Sequence, residues 1–345
     1  MKNNNKIYWL PNKSENLVHF QDLLDKCHEV MSQIDHLDSQ QWHFYRKLLN
    51  PYDFSSRKIA VNRAFYKLWE IFKVYPFLLN NCKNSLSLCE SPGSFIQVIN
   101  KFNPNCHMTA ISKPKSLYSD VVKSGKCIPL FHKTVLQINN AKFFYIDIYD
   151  TCRMNMILDR KYDFISADGG FDENKEYNKK EILHLKLILA QVVYILNTQS
   201  LHGNCVLKLF DTFTENIVHT LFLLTKHYTT IEFFKPSTSR STNSERYIIC
   251  NDFQGSQYSQ QELIDLLSIS EIEILFSKTN LDVPQEFSNF VFNSSKDFTI
   301  AQINSINKVF HFIKQDHSIF EVDQLYNNKR NIFKQWIQEF DLCKK

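Results

Sequence analysis

The run Ser85-Leu86-Ser87-Leu88-Cys89-Glu90-Ser91-Pro92-Gly93-Ser94-Phe95-Ile96-Gln97-Val98-Ile99 decides the fold class. Residues 85–89 alternate small polar and apolar side chains, the period of a strand. The turn Glu90-Ser91-Pro92-Gly93-Ser94 follows at once, and Phe95 to Phe102 then reads as a helix. A strand running through a tight small-residue turn into a helix leaves backbone N–H groups pointing at a ligand. Working outward, strand-like segments recur at His107–Ile111, Phe143–Ile148, Tyr162–Ala167, Asn204–Leu209, Thr230–Phe234 and Tyr247–Cys250. Helix-like segments separate them at Ala60–Val74, Lys180–Leu196 and Thr214–Lys226. Such alternation predicts an α/β domain with a mostly parallel sheet wrapped by helices, and ligands where strands end.

This central zone spans residues 56–253. Residues 1–55 carry helical spacing at Leu17, Phe20, Leu23 and Leu24, broken by Asn50-Pro51-Tyr52-Asp53. Residues 254–345 are expected to be helical again, with best candidates at Gln260–Leu267, Ile300–Ile313 and Asn328–Phe340. Their expected job is to pad the central domain; docking of another protein is the alternative.

Composition sets the bounds. The 345 residues are 43% hydrophobic and 22% charged, enough to bury a core and too apolar for a disordered chain. A net charge of +4 permits an RNA or phosphate partner without demanding one. Nine cysteines show neither a C-x-x-C pair nor a histidine at zinc-ligand spacing, so free thiols and no metal are expected. The N-terminal run lacks a signal-peptide core, and no apolar stretch approaches the ~18 residues of a membrane span. A cytosolic or nuclear location follows as the expectation. The chain has only 6 glycines, so each is expected where the backbone needs one.

Four of those glycines, Gly93, Gly169, Gly170 and Gly203, fall at edges of predicted strands. Asp168-Gly169-Gly170 puts a carboxylate at a strand end with open backbone beside it; a plain Asp-Gly turn reads equally well. Lys208, inside Val206-Leu207-Lys208-Leu209, is expensive to bury unless paired. Desolvation or a nearby cation would lower its pKa and make it a base. The stretch Lys235 to Tyr247 is hydroxyl-rich, bears three cations and includes Glu245. Its residue types suit phosphate and sugar, and they equally suit a solvated loop.

Taken in order, these segments resemble the FtsJ-like ribose 2′-O-methyltransferases, and within them the mRNA cap-1 type of eukaryotes and large cytoplasmic DNA viruses. The resemblance rests on Asn62-Arg63-Ala64-Phe65-Tyr66-Lys67, on Cys89 to Phe95 and on Ala167-Asp168-Gly169-Gly170-Phe171. Lys208-Leu209-Phe210-Asp211, and Lys235-Pro236 through Ser239-Arg240 to Asn243-Ser244-Glu245-Arg246-Tyr247, complete it. It implies a Rossmann-like S-adenosylmethionine-dependent sheet flanked by N- and C-terminal helical segments. It implies a Lys-Asp-Lys-Glu tetrad at Lys67, Asp168, Lys208 and Glu245.

The donor is implied to lie against Cys89, Glu90, Ser91, Pro92, Gly93, Ser94 and Phe95, with Asn62 nearby and Asp147 and Asp168 in contact. One departure is Pro-Gly-Ser-Phe where the family usually has Pro-Gly-Gly-Phe; Ser94 can still offer its N–H if its φ stays negative. Lys208 is the expected base, its pKa lowered by Lys67, with the two carboxylates holding the lysines and no metal required. A capped RNA is the implied substrate, contacted by Lys235, Ser237, Ser239, Arg240 and Ser244, and near the cap by Asn178, Arg46, Asn50, Tyr52 and Arg57. Other capping or transcription proteins could dock on the C-terminal helices. The alternatives are a tRNA or rRNA 2′-O-methyltransferase, or a non-catalytic RNA-binding subunit of a capping complex. A nicotinamide dehydrogenase lacks its G-x-G-x-x-G.

Overall fold

Why the central zone forms a sheet is visible in its burial. The strands are β1 (Lys6–Tyr8), β2 (Asn84–Leu88), β3 (His107–Ser112), β4 (Ala141–Tyr145), β5 (Tyr162–Ala167), β6 (Gln199–Leu209), β7 (Tyr228–Phe234) and β8 (Arg246–Phe253). In β2, β3 and β5 nearly every residue is buried, the mark of strands covered on both faces. The computed structural model describes residues 6–8, 20–53, 59–113, 131–170, 180–267 and 281–342.

The eight strands make one sheet in the order β1-β7-β8-β6-β5-β2-β3-β4. From β4 to β6 the strands are parallel; β8 runs antiparallel to β6 and β7, and β1 antiparallel to β7. The chain builds outward from β2 to β4, then returns to the far side of β2 for β5. The order therefore reverses between β2 and β5, the switch point at whose C-terminal ends open α/β sheets have their ligand cleft. Leu88 pairs with Ala167, which sets Cys89 beside Asp168 at that switch point.

Helices cover both faces. Against one lie α7 (Lys180–Thr198) and α8 (Glu215–Thr225), packed on Leu86, Leu88, Ile165 and Leu207. Against the other lie α3 (Ala64–Val74) and α4 (Ser94–Phe102), packed on Met108, Ala110, Phe164 and Val206. Neighbouring strand residues Phe164 and Ile165 thus serve opposite cores, as a two-residue period requires.

The flanking segments pack together. Helices α1 (Phe20–Asp35) and α2 (Ser39–Leu49) share a small core with a helix of 29 residues, Gln285–Ile313, through Cys27, Met31, Trp42, Ile303 and Ile306. We number this helix α10, after α5 (Lys133–Leu136), α6 (Thr151–Leu158) and α9 (Gln260–Leu267). The last helix, α11 (Ile319–Glu339), sets Phe333 and Trp336 edge-on to Tyr66 of α3, with ring centroids 5.4 and 5.7 Å apart. Among the described residues no helix is long and apolar enough to cross a membrane.

Four expectations need correction. The N-terminal zone contributes a strand, β1, as well as helices; three residues of edge pairing are too short to leave a periodic signal. Helix α10 begins at Gln285, well before Ile300, because its buried stripe includes Ser294, Ser295 and Thr299, which hide the apolar spacing. Helix α11 begins at Ile319 under a capping box, where Ser318 accepts from the Glu321 N–H and Glu321 accepts from the Ser318 N–H. Strand β4 ends at Tyr145, so Asp147 stands in the following loop and not on the strand.

Trp336 is only 2% exposed and links α11 to the helix that carries Lys67. Trp336→Ala should lower the unfolding free energy by about 3–5 kcal/mol in urea titrations. A loss below about 0.5 kcal/mol would mean that α11 is not part of this core.

Candidate active site

The loop after β2 is shaped by Glu90 and Gly93. The Glu90 carboxylate is buried and accepts the N–H groups of Phe95 and Ile96 at 2.6 and 3.1 Å, so it caps α4 from inside the turn. Burial pushes its pKa up to about 8 against the pull of those two N–H groups. Gly93 sits at φ +106°, where a side chain is strained, and an added Cβ would come within 2.8 Å of Val135. Ser94 is the first residue of α4 and is not in the left-handed region, so a serine is accommodated here. Its hydroxyl donates to Asn62 Oδ1 at 2.7 Å, which ties the start of α3 to the loop.

Of the expected donor contacts, Glu90, Ser94 and Phe95 thus turn their side chains into the protein. Cys89, Ser91 and Pro92 are partly exposed. Asp147 pairs with the largely exposed Lys113 at 2.9 Å. Lys208, Asp168, Asp147 and Glu90 all act electrostatically on the Cys89 thiol, so Asp168 and Asp147 bring two carboxylates to this strand edge, each paired with a lysine.

Four charged side chains meet beside this cleft, each from a different element. Lys67 projects from α3 and reaches both Glu245 carboxylate oxygens, at 2.7 and 2.8 Å. Lys208 lies near the end of β6; its Nζ donates to the Asp168 carbonyl at 2.8 Å and sits 3.2 Å from Oδ1. Asp168 follows β5 directly, and Glu245 directly precedes β8, whose Tyr247 pairs with Lys208. Gly170 makes room for this, since a Cβ there would lie 3.0 Å from Lys208 Nζ. Both Lys208 and Glu245 are buried.

Electrostatics here corrects one expectation. Burial works against the charge on Lys208, but Asp168 and Glu245 outweigh it and raise the pKa above its usual value. Lys67 does not lower it, because Lys67 is spent on Glu245. Burial likewise opposes ionisation of Glu245, yet Lys67, Lys208 and the Ser239 hydroxyl hold its carboxyl well below the ordinary range. The resting site therefore holds Lys208 charged beside Asp168, with Glu245 ionised against Lys67.

The segment 235–245 departs furthest from its sequence reading. Lys235 Nζ donates to the carbonyls of Glu245, at 2.7 Å, and Asn243. Ser239 donates to Glu245 Oε1 at 2.6 Å, and Ser244 to Asp211 Oδ2 at 3.1 Å, both buried. The Ser237 N–H donates to Glu70 at 2.7 Å. Ser239 and Ser244, expected against RNA, face inward, while Lys235 and Ser237 are half-buried; their bonds fold the segment onto α3 and β8. Arg240 keeps a partly exposed place, 3.4 Å from Asp53, which also pairs with Arg63.

A hollow of about 350 Å³ opens there, lined by Asn62, Arg63, Lys67, Arg240, Asn243 and Glu245. A hollow of about 600 Å³ lies at the opposite strand ends, around His107 and Lys142, away from the four charges.

Of the remaining expected contacts, Asn50 is buried and caps its own turn by accepting the Tyr52 N–H at 3.0 Å. Tyr52 hydrogen-bonds to Ser237, and Arg46 lies over the Trp42 ring. Arg57 and Asn178 lie outside the described residues. Sequence reasoning missed Tyr247, whose hydroxyl donates to Asp168 Oδ1 at 3.0 Å. It also missed Glu70, which accepts from Ser237 and Thr238. Glu70 did leave a signal, being a lone carboxylate in an apolar helix three residues after Lys67. No group of metal-ligating side chains occurs among the described residues.

With this geometry in hand, comparisons place the chain. Residues 60–253 match the FtsJ-like methyltransferase family. A cap-specific mRNA (nucleoside-2′-O-)-methyltransferase 1 of Dictyostelium discoideum is 26% identical over 88% of this chain and 44% of its own length. The Homo sapiens protein of that name is 25% identical over 88% of this chain and 40% of its own length. The chain thus spans less than half the length of these relatives. A Plasmodium falciparum protein described as a putative ribosomal RNA methyltransferase superposes with a TM-score of 0.43 and 21% identity, over 56% of this chain and 99% of its own. The family match covers more than half of the residues, in the zone that holds all four charged groups, and the chain belongs to the FtsJ-like methyltransferases.

Proposed function

We propose that this chain methylates a ribose 2′-hydroxyl of RNA, at the first transcribed nucleotide of a capped mRNA, with S-adenosylmethionine as donor. One observation carries the reading: buried Lys208, held by Asp168 at the switch-point cleft, stands in one charge cluster with the Lys67–Glu245 pair. S-adenosylmethionine, when bound, supplies a methyl group on a positively charged sulfur. Asn62, the backbone of Cys89 to Gly93, Asp147 and Asp168 would hold it, and the paired carboxylates fit its charge. The cationic rim of Arg63, Lys67 and Arg240 suits a phosphate backbone.

Lys208 would take the 2′-OH proton on Nζ, freeing an electron pair on the ribose oxygen for the methyl carbon, whose bond to sulfur would break in the same step with its electrons left on sulfur. To do so it must first be neutral. A positive charge brought next to Asp168 competes with Lys208 for that carboxylate and lowers the lysine's pKa. Lys67, held in line by Glu245, stabilises the negative charge growing on the ribose oxygen. Tyr247 and the backbone around Gly170 keep Asp168 and Lys208 in register. Alignment of oxygen, carbon and leaving sulfur supplies much of the rate. The cap reading draws support from the relatives' extent: they align over 88% of this chain, flanking segments included.

Lys208→Ala should lower kcat by roughly 10²–10⁴-fold with donor affinity kept within about twofold, read by calorimetry. Because the resting lysine is charged, wild-type kcat/KM should climb about tenfold per pH unit from neutral pH until Lys208 loses its proton. A flat profile would remove Lys208 as the base.

The substrate is tested with three short RNAs: N7-methylguanosine-capped, uncapped, and capped with the first ribose already 2′-O-methylated. Radiolabelled methyl transfer to the first alone is the expected result. Equal transfer to all three would move the target to internal RNA, and transfer to none would leave an RNA-binding subunit.

A further inference from the structure

Lys235 is the one cation of the 235–245 segment that the proposed chemistry does not use. It follows β7 directly and is half-buried, with Glu245, Arg246, Lys67 and Asp211 acting on its ammonium. An exposed lysine awaiting phosphate would keep its charge in water. Here burial dominates and brings the pKa down to about 7. Its hydrogen bonds run to backbone carbonyls, those of Asn243 and Glu245, and not to a carboxylate.

Those two carbonyls belong to the turn that ends at the tetrad. Glu245 is gripped at three points. Its N–H donates to Asn243 Oδ1 at 3.3 Å, its carbonyl accepts from Lys235 at 2.7 Å, and its carboxylate accepts from Lys67 and Ser239. The other end of the segment is pinned separately, by Glu70 on the N–H groups of Ser237 and Thr238. Without Lys235, the carbonyls of Asn243 and Glu245 lose the ammonium that ties them together, and the turn between these anchors is free to shift. A shift of about 1 Å in a group that orients a reacting centre can cost ~10²-fold in rate.

We propose that Lys235 is a positioning residue that acts through Glu245, locking the turn that presents this carboxylate to Lys67, and that it does not contact RNA. The inference rests on the reading of Lys67, Asp168, Lys208 and Glu245 as the catalytic cluster.

A double-mutant cycle tests it. Lys235→Met keeps the apolar stem and removes the donors. Methyl transfer to capped RNA is measured for wild type, Lys235→Met, Glu245→Gln and the double variant, at two salt concentrations. Transfer by wild type tests the functional reading itself; the ratios among variants test Lys235. Lys235→Met should lower kcat about tenfold or more, leave the RNA KM within about twofold, and leave its salt dependence unchanged. In the Glu245→Gln background the same change should cost about twofold at most, because the two residues act as one unit. Lys235→Gln, which can still donate to a carbonyl, should recover part of the loss; should Lys235→Met not fold, Lys235→Gln takes its place in the cycle. A raised KM with kcat unchanged and a flatter salt dependence would make Lys235 an RNA contact. Losses that multiply in the double variant would separate it from Glu245. Either result overturns the proposal.

Discussion

The structure depends on keeping four charges together at the end of a sheet with little water around them. A buried lysine or carboxylate without its partner costs several kcal/mol. Lys208 is 9% exposed and Glu245 6%, so neither is held by solvent. Each is tolerated because charges of opposite sign stand beside it, and because neutral donors share the carboxylate oxygens: Tyr247 on Asp168 Oδ1 and Ser239 on Glu245 Oε1. The arrangement leaves Lys208 charged at rest, and a base must be neutral. The same carboxylates that make burial of the lysine possible therefore restrain it, and a positive charge at the cleft relaxes that restraint.

Holding such a cluster explains much of the surrounding architecture. The parallel strands deliver Asp168 and Lys208 to one edge, and the antiparallel β8 brings Glu245 back to it from the opposite direction. Helix α10 reinforces this return: buried Arg246, next to Glu245, donates to Thr212 and to Ser295 of that helix. Helix α11 backs α3, the carrier of Lys67, with Trp336 and Phe333 on Tyr66, while the Trp69 indole donates to the Phe340 carbonyl. The C-terminal helices thus pack directly behind two of the elements that carry the cluster. Buried Glu181 plays a similar part beyond β6, accepting from Phe213 and Thr214.

The segment 235–245 shows how one composition can serve two ends. Serines, two threonines, an arginine and a lysine close together read as a surface for phosphate. In the fold the same donors satisfy Glu70, Glu245 and Asp211 and cap the backbone of their own turn. Hydroxyls and ammonium groups bind carboxylates and carbonyls as well as they bind phosphates. Arg240 keeps a place at the rim of the hollow with Asn243 and Glu245, and even there Asp53 holds it.

The local chain determined the elements and their order. Alternation in β2, apolar periodicity in α7 and the turn through Gly93 are readable because each depends on neighbours a few residues away. The positions of Asp168 and Lys208 at strand ends are readable for the same reason, and the family resemblance already grouped them with Lys67 and Glu245. The tertiary structure alone decided what those groups do to one another. Lys67 meets a carboxylate 178 residues distant, and Lys208 is raised and not lowered, because distance and burial set a pKa and sequence spacing does not. The inward turn of Lys235, the start of α10 behind a polar stripe and the edge strand β1 were hidden for a related reason. Each is fixed by a partner that comes close only once the sheet has closed around it.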